Sequence, residues 1–158
     1  MNITVLWFRL ESAPYFNTLK YELYLTPCYP EYFYLENSSC FFEKSTRLII
    51  VKTKLSDCVI IEPKVFGDER GFFLETFHAS RYADLAGISL PFVQDNHSLS
   101  TGGVLRGLHY QIIHPQGKLV RCTQGEIFDA IVDLRVDSPT YKKNFTIKLN
   151  RPDLLLWV

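Results

Sequence analysis

One histidine on a predicted strand is the residue of this sequence best suited to acid–base chemistry. His109 lies in the stretch GLHYQ, which is otherwise mostly apolar, and imidazole exchanges protons readily near neutral pH. Taken alone, such a histidine is more often a core residue satisfied by one hydrogen bond. Four cations at strand ends or beside glycine turns favour chemistry instead: Arg70, Arg106, Lys118 and Arg121. Cations beside a base suit an anionic substrate and a developing enolate.

Other polar stretches are less specific on their own. The run QDNHS at 94–98 follows a predicted strand, but Asp and Asn favour turns for local reasons. The run DERG at 68–71 is typical of a tight turn. Asp129 and Asp133 alternate with isoleucines on one strand face. They could neutralise nearby cations or equally lie on an exposed face.

The sequence predicts neither a metal site nor a cofactor. A metal-binding H-x-H pair would need a ligand two residues after His109, where Gln111 stands, and the next glutamate is Glu126. The four cysteines form no C-x-x-C pair, so a zinc site is not expected. We interpret them as reduced, buried thiols of a cytoplasmic protein. No glycine-rich phosphate loop of known spacing is present.

Composition narrows the class of protein. A chain of 158 residues with 47% hydrophobic residues can form one domain with a hydrophobic core. The formal net charge is zero, so no global field draws it to nucleic acid or to an anionic membrane. Apolar runs fall short of the ~20 residues that span a bilayer, and the first residues make a poor signal peptide.

The elements that must position these residues begin near residue 51. Residues 1–50 hold 12 of the 23 aromatic residues but none of the glycines, and their periodicity is unclear. They are either an appended segment with its own packing role or, as we favour, a translated stretch never selected as part of this fold. We therefore predict a boundary between segment 1–50 and a domain at 51–158.

Residues 51–158 predict an antiparallel β-domain with one short helix. The helix is expected at Ala79 to Ala86 and ends at Gly87. Short strands separated by turn residues are typical of a sandwich or barrel. They are expected at 59–61, 72–77, 91–95, 104–111, 118–123, 126–134 and 144–149.

Five motifs in unbroken order resemble the dTDP-4-dehydrorhamnose 3,5-epimerase family. They are EPKVFGDERGFFLETF (62–77), FVQDNHSLS (92–100), GVLRGLHYQ (103–111), QGKLVRCTQGEIFDAIVDLR (116–135) and SPTY (138–141). The resemblance covers about Ile50 to Trp157. It implies an all-β, cupin-type jelly roll, incomplete here, with one short helix. It also implies a cytoplasmic homodimer that acts on a dTDP-sugar in dTDP-rhamnose biosynthesis.

The resemblance also implies roles for individual residues. His109 would be the general base, and Lys118 would lie beside the sugar keto oxygen. The remaining substrate-binding residues would be Arg70, Glu75, Gln94, Asp95, Asn96 and Arg106. Protons at C3 and C5 are both alpha to the C4 ketone, so one base can remove each in turn, with no metal or redox cofactor required.

Strict strand alternation conflicts with part of this assignment. Arg106 and His109 would lie on opposite faces of one strand. A bulge or kink at Gly107 would bring both into one site, and glycine permits it. The loop between Tyr110 and Lys118 is about one residue shorter than in many family members, which affects where Lys118 points.

The family pattern continues beyond the position of Trp157 with residues that include its proton donor and the aspartate that orients its base. This sequence stops at Val158, so we expect no epimerisation by the chain as given. The alternatives are a non-catalytic sugar-nucleotide-binding remnant, a fragment that does not fold alone, or a related sugar-nucleotide epimerase or ketoisomerase that acts at fewer carbons.

Overall fold

The computed structural model describes residues 5–11, 18–25, 48–150 and 155–158, with side chains from residue 48 onward. These ranges contain one helix, α1 (Ala79–Ala86), and twelve strands. The strands are β1 (Val5–Glu11), β2 (Thr18–Leu25), β3 (Ile49–Lys52), β4 (Val59–Glu62), β5 (Val65–Asp68), β6 (Gly71–Leu74), β7 (Phe92–Ser100), β8 (Leu105–His109), β9 (Lys118–Gln124), β10 (Ile127–Asp133), β11 (Asn144–Leu149) and β12 (Leu155–Trp157).

The strands form two main sheets and a hairpin. One sheet has the order β11-β10-β1-β8, the other β3-β4-β12-β9-β2-β7, and β5 pairs with β6. Every pair is antiparallel. The predicted antiparallel β-domain with one helix is therefore confirmed. Among the described strands, β8 is at one edge of the four-stranded sheet and β7 is at one edge of the six-stranded sheet.

The main core lies between the two sheets. Val120 and Cys122 of β9 pack with Ile127 and Ile131 of β10, and all four side chains are buried. A second cluster covers the other face of the six-stranded sheet, where Leu119 and Trp157 pack beneath α1. Alternate residues of β9 thus face different cores, as the two-residue period of a strand requires.

The helix occupies the residues that the sequence predicted. His78 is its N-cap and accepts a hydrogen bond from the Arg81 amide, and Gly87 ends it with φ of 71°. Buried Tyr82 donates from its hydroxyl to the Thr76 carbonyl at 2.9 Å. In the described ranges, no helix is long and apolar enough to cross a membrane.

Two strands come from the segment in which the sequence analysis assigned none. β1 pairs with β10 and β8, and β2 pairs with β9 and β7. Residues 1–4, 12–17 and 26–47 lie outside the described ranges, and the boundary near residue 50 stays a prediction.

Arg135 forms a buried ion pair with Asp133 at the end of β10 and also binds the loop between β3 and β4. Arg135 donates to Asp133 at 2.8 and 2.9 Å and to Asp57 at 2.7 Å. Ser138 and Thr140 also donate to the Asp133 carboxylate, at 2.5 and 2.6 Å. Burial would raise the pKa of Asp133, but these hydrogen bonds hold that pKa far below its usual range.

Burial overturns one of the two readings of the aspartates on β10. Asp133 is 3% exposed and Asp129 is 2% exposed. The reading that placed them on an exposed face is wrong, because both side chains point inward with Ile127 and Ile131.

Replacing Asp133 tests this network. Asp133→Asn should lower the free energy of unfolding by roughly 2–4 kcal/mol at pH 7, since it leaves Arg135 with a weaker buried partner. The folded-state pKa of Asp133 is depressed, so its contribution is present above the unfolded pKa and is lost as the pH falls. The difference from wild type, measured by urea unfolding, should therefore shrink below about pH 4.

Asp57→Asn is the matched control, because Asp57 contacts the same arginine but its side chain is 58% exposed. It should cost less than about 1 kcal/mol. Equal effects of the two variants would contradict the assignment of the buried pair as the dominant interaction.

Candidate functional site

An irregularity at Gly107 places Arg106 and His109 on the same face of β8. His109 aligns with Trp7 of β1, whereas Gly107 aligns with the next residue, Phe8, so that Leu108 is the extra residue of a bulge. Gly107 has φ of 123°, a conformation that L-residues rarely adopt. The predicted kink at Gly107 is confirmed, and it removes the conflict with strand alternation.

The register shows which face this is. Trp7 aligns with His109 on one side and with Ile131 of β10 on the other. Residues directly opposite in an antiparallel ladder share a face of the sheet, and Ile131 is part of the core between the sheets. His109 therefore lies on the inward face, at the exposed end of β8.

Arg106 connects the last described strands of the two sheets. Its guanidinium donates to the Ser100 hydroxyl of β7 from Nη2 at 2.9 Å and from Nε at 3.1 Å. Ser100 is 5% exposed. Arg106 is thus aimed inward, across the opening between β8 and β7.

The facing sheet contributes polar residues from β9 and β7. Lys118 lies two residues before Val120, so its side chain projects toward the inner core. Gln94 shares a register row with Lys118, and Asn96 shares one with Val120, both through β2. Gln94 and Asn96 therefore face inward, and their side chains hydrogen bond to each other at 3.3 Å. Asp95 lies on the opposite face.

Hydrogen bonds fix the backbone of Lys118, and its environment shifts the pKa of its side chain. Its amide and carbonyl pair with the Val158 carbonyl and amide at 2.8 and 3.0 Å. A Cβ on the preceding Gly117 would stand 2.5 Å from the Trp157 ring, so only glycine allows this approach. Burial lowers the pKa of Lys118 to about 8, against the opposing effect of the Asp129 carboxylate.

The remaining predicted binding residues lie elsewhere in the chain. Arg70 is at the turn of the β5–β6 hairpin, where its guanidinium binds Asp68 and its side chain is 86% exposed. Glu75 forms an ion pair with Arg81 of α1. One chain thus places Arg106, His109 and Lys118 on one inner surface, but not Arg70 or Glu75. The part of the chain described here holds no cluster of His, Cys, Asp and Glu suited to a metal ion.

Comparisons with known proteins bear on the family of the chain. The sequence profile of the dTDP-4-dehydrorhamnose 3,5-epimerase family matches residues 52–158. The chain belongs to this family. A curated family member from Shigella flexneri is 52% identical over 111 residues, which cover 69% of this chain and 61% of that protein. One from Pseudomonas aeruginosa is 55% identical over 98 residues, covering 62% and 51%.

Solved epimerase structures share the fold. The enzyme from Legionella pneumophila, in complex with dTDP-4-keto-L-rhamnose, aligns with a TM-score of 0.68 at 49% identity, over 71% of this chain and 60% of that one. The Bacillus anthracis enzyme with TDP and PPi bound gives 0.67 at 40% identity, over 71% and 65%. The chain thus has the all-β, cupin-like fold of this family, with one short helix. It spans about half to two thirds of the length of the relatives named here.

Three contacts in and near the candidate site were not predicted from the sequence. Ser100 was not singled out, although it alternates along β7 with Gln94 and Asn96 and so shares their face. Arg81, the partner of Glu75, carried no signal, because its helix contacts that carboxylate only after folding. Asp129 was noticed but not linked to Lys118.

Replacing Lys118 tests its buried state through the pH dependence of stability. Its folded pKa of about 8 lies below the ordinary value of 10.5. The unfolded chain therefore binds more protons between these pH values, and the stability of the wild type should rise with pH there. Lys118→Met should lose this rise, measured as urea unfolding at pH 7 to 10.5.

Lys148→Met is the control, because the Lys148 side chain is 54% exposed and pairs with Glu126. Its stability should follow the wild-type pH profile. Parallel profiles for wild type and Lys118→Met would refute the depressed pKa of Lys118.

Proposed function

We propose that this chain carries the proton-abstracting half of a sugar-nucleotide epimerase. The substrate would be dTDP-4-dehydro-6-deoxy-glucose, epimerised at C3 and C5 to dTDP-4-dehydro-L-rhamnose in dTDP-rhamnose biosynthesis. The observation that carries the proposal is the inner surface shared by His109, Arg106 and Lys118. The family relationship supplies the substrate class.

The chemistry of these three residues suits the reaction. His109 would remove a proton alpha to the C4 ketone, as imidazole does well near neutral pH. The intermediate is an enolate, and the Lys118 ammonium would stabilise its developing negative charge. Most of Lys118 is protonated at pH 7, because its pKa is about 8. Arg106 would bind an anionic group of the nucleotide.

The pair Gln94 and Asn96 would add neutral hydrogen bonds from the facing sheet. Asp95 lies on the other face of β7. It would therefore contact a ligand only on the outer side of that sheet. Arg70 and Glu75 would act on a substrate held by a second copy of the chain, since each has an intrachain ion pair away from this surface.

We also propose that the functional form is a cytoplasmic homodimer. The β5–β6 hairpin supports this, because Phe72 and Phe73 are 62% and 67% exposed and Phe66 is 40% exposed. Phe66 and Phe73 are register partners on one face of the hairpin, and Phe72 lies on the other face. Exposed apolar surface of this kind marks an interaction site. Its position next to Arg70 would bring that arginine to the partner.

Deuterium exchange tests the assignment of the base. In heavy water with dTDP-4-dehydro-6-deoxy-glucose, His109-dependent removal of the C3 or C5 proton should incorporate deuterium, detected by proton NMR. His109→Asn should reduce the exchange rate by roughly 10²- to 10⁴-fold. The matched control is His114→Asn, on the exposed loop before β9, which should exchange like the wild type.

The assay also separates neighbouring activities. A Streptomyces niveus relative named dTDP-4-dehydrorhamnose 3-epimerase is 46% identical over 82 residues, covering 51% of this chain and 40% of that one. Exchange at C3 alone would favour that narrower activity. The experiment should include a chimaera that continues into the C-terminal residues of a full-length relative. Deuterium exchange that survives His109→Asn in both the given chain and the chimaera would show that His109 is not the base.

Changing the hairpin tests the dimer. The double variant Phe72→Asn, Phe73→Asn should shift the sedimentation coefficient from dimer to monomer, because it removes apolar surface from the proposed interface. The control is Ile112→Asn, a side chain that is 75% exposed on a different loop. A wild-type chain that sediments as a monomer at all micromolar concentrations would contradict the dimer.

A further inference from the structure

The interior of the sandwich holds two opposite charges on facing strands. Lys118 opens β9 on the side that carries Val120 and Cys122, and Asp129 lies between Ile127 and Ile131 on β10. These four apolar residues belong to one core cluster that joins the two sheets. Lys118 and Asp129 therefore project from opposite sheets toward the same interior.

Burial makes it energetically costly to keep these two side chains charged. Asp129 is 2% exposed, and Lys118 is only partly accessible. Removing a charge from water is costly unless a partner compensates it. The electrostatic effect of Asp129 on Lys118 favours the ammonium form, against the larger effect of burial.

We propose that Asp129 is a positioning residue that keeps the Lys118 ammonium charged and aimed at the inner surface carrying His109 and Arg106. This rests on the role proposed above for Lys118 at the keto oxygen. Without the carboxylate, burial acts on the lysine unopposed, and a neutral amine gives no electrostatic stabilisation to an enolate.

Charged and polar groups on the neighbouring strands are the other candidates for an effect on the protonation of Lys118. β8 contributes Arg106 and His109 from its inward face. From β7, Gln94 and Asn96 are neutral. On β2, Glu22 is the register partner of Val120, so Glu22→Gln is the variant to compare with Asp129→Asn.

The test is a direct titration of Lys118 that needs no substrate. Reductive methylation with ¹³C-formaldehyde labels the lysines, and the resonance lost in Lys118→Arg identifies Lys118 by NMR. The wild-type resonance should titrate near pH 8. In Asp129→Asn it should titrate about one pH unit lower or more, a tenfold change in the protonation equilibrium. Asp129→Glu should restore most of the wild-type value.

Two controls make the result specific. Asp84→Asn changes an exposed carboxylate on α1 and should leave the Lys118 titration unchanged. Glu22→Gln should also leave it unchanged. A shift with Glu22→Gln but not with Asp129→Asn would overturn the proposal, as would an unshifted curve in Asp129→Asn.

A loss of stability in Asp129→Asn is also informative. If the lysine is the partner, the stability cost of Asp129→Asn should differ between the wild-type and Lys118→Met backgrounds, and a double-mutant cycle measures that coupling. Additive effects would contradict the pairing. Failure of the His109 exchange assay would leave this titration intact, so the two proposals can fail separately.

Discussion

The packing of β9 against β10 is the constraint on which the rest of the structure depends. The same pair of inner faces must exclude water around Val120 and Ile131 and must also hold Lys118 and Asp129. Aliphatic burial supplies the main stabilisation, at about 25 cal/mol per Å² of apolar surface. That dry environment is also what depresses the pKa of the lysine, so core packing and site electrostatics have one origin.

Local chemistry explains what the sequence could predict. Residues 79–86 form a helix because His78 can cap its start and Gly87 can adopt the left-handed conformation at its end. The kink at Gly107 was predictable because the family resemblance assigns Arg106 and His109 to one site and glycine lies between them. Strand boundaries differed by a few residues. No strand was predicted at β5, because its last two residues, Gly67 and Asp68, favour turns.

Long-range partners explain what the sequence could not predict. Strand pairing of β1 and β2 with segments about 70 to 130 positions away leaves no local periodicity to detect. Glu75 is bound to an arginine whose position is set by the helix. The inward direction of Asp129 depends on which face of β10 meets the other sheet, a choice that alternation alone leaves open.

The bonds from Arg106 to Ser100 have a consequence for affinity. An anion that captures this guanidinium competes with a nearly buried hydroxyl, which would lose its partner. Leaving a buried polar group unsatisfied costs about 1–3 kcal/mol, so on the proposed role of Arg106 ligand binding is coupled to the contact between β8 and β7. On that proposed role, a tightly binding ligand either leaves the Arg106–Ser100 contact in place or supplies its own hydrogen bond to Ser100. Ligands that do neither are expected to bind roughly 5- to 150-fold more weakly.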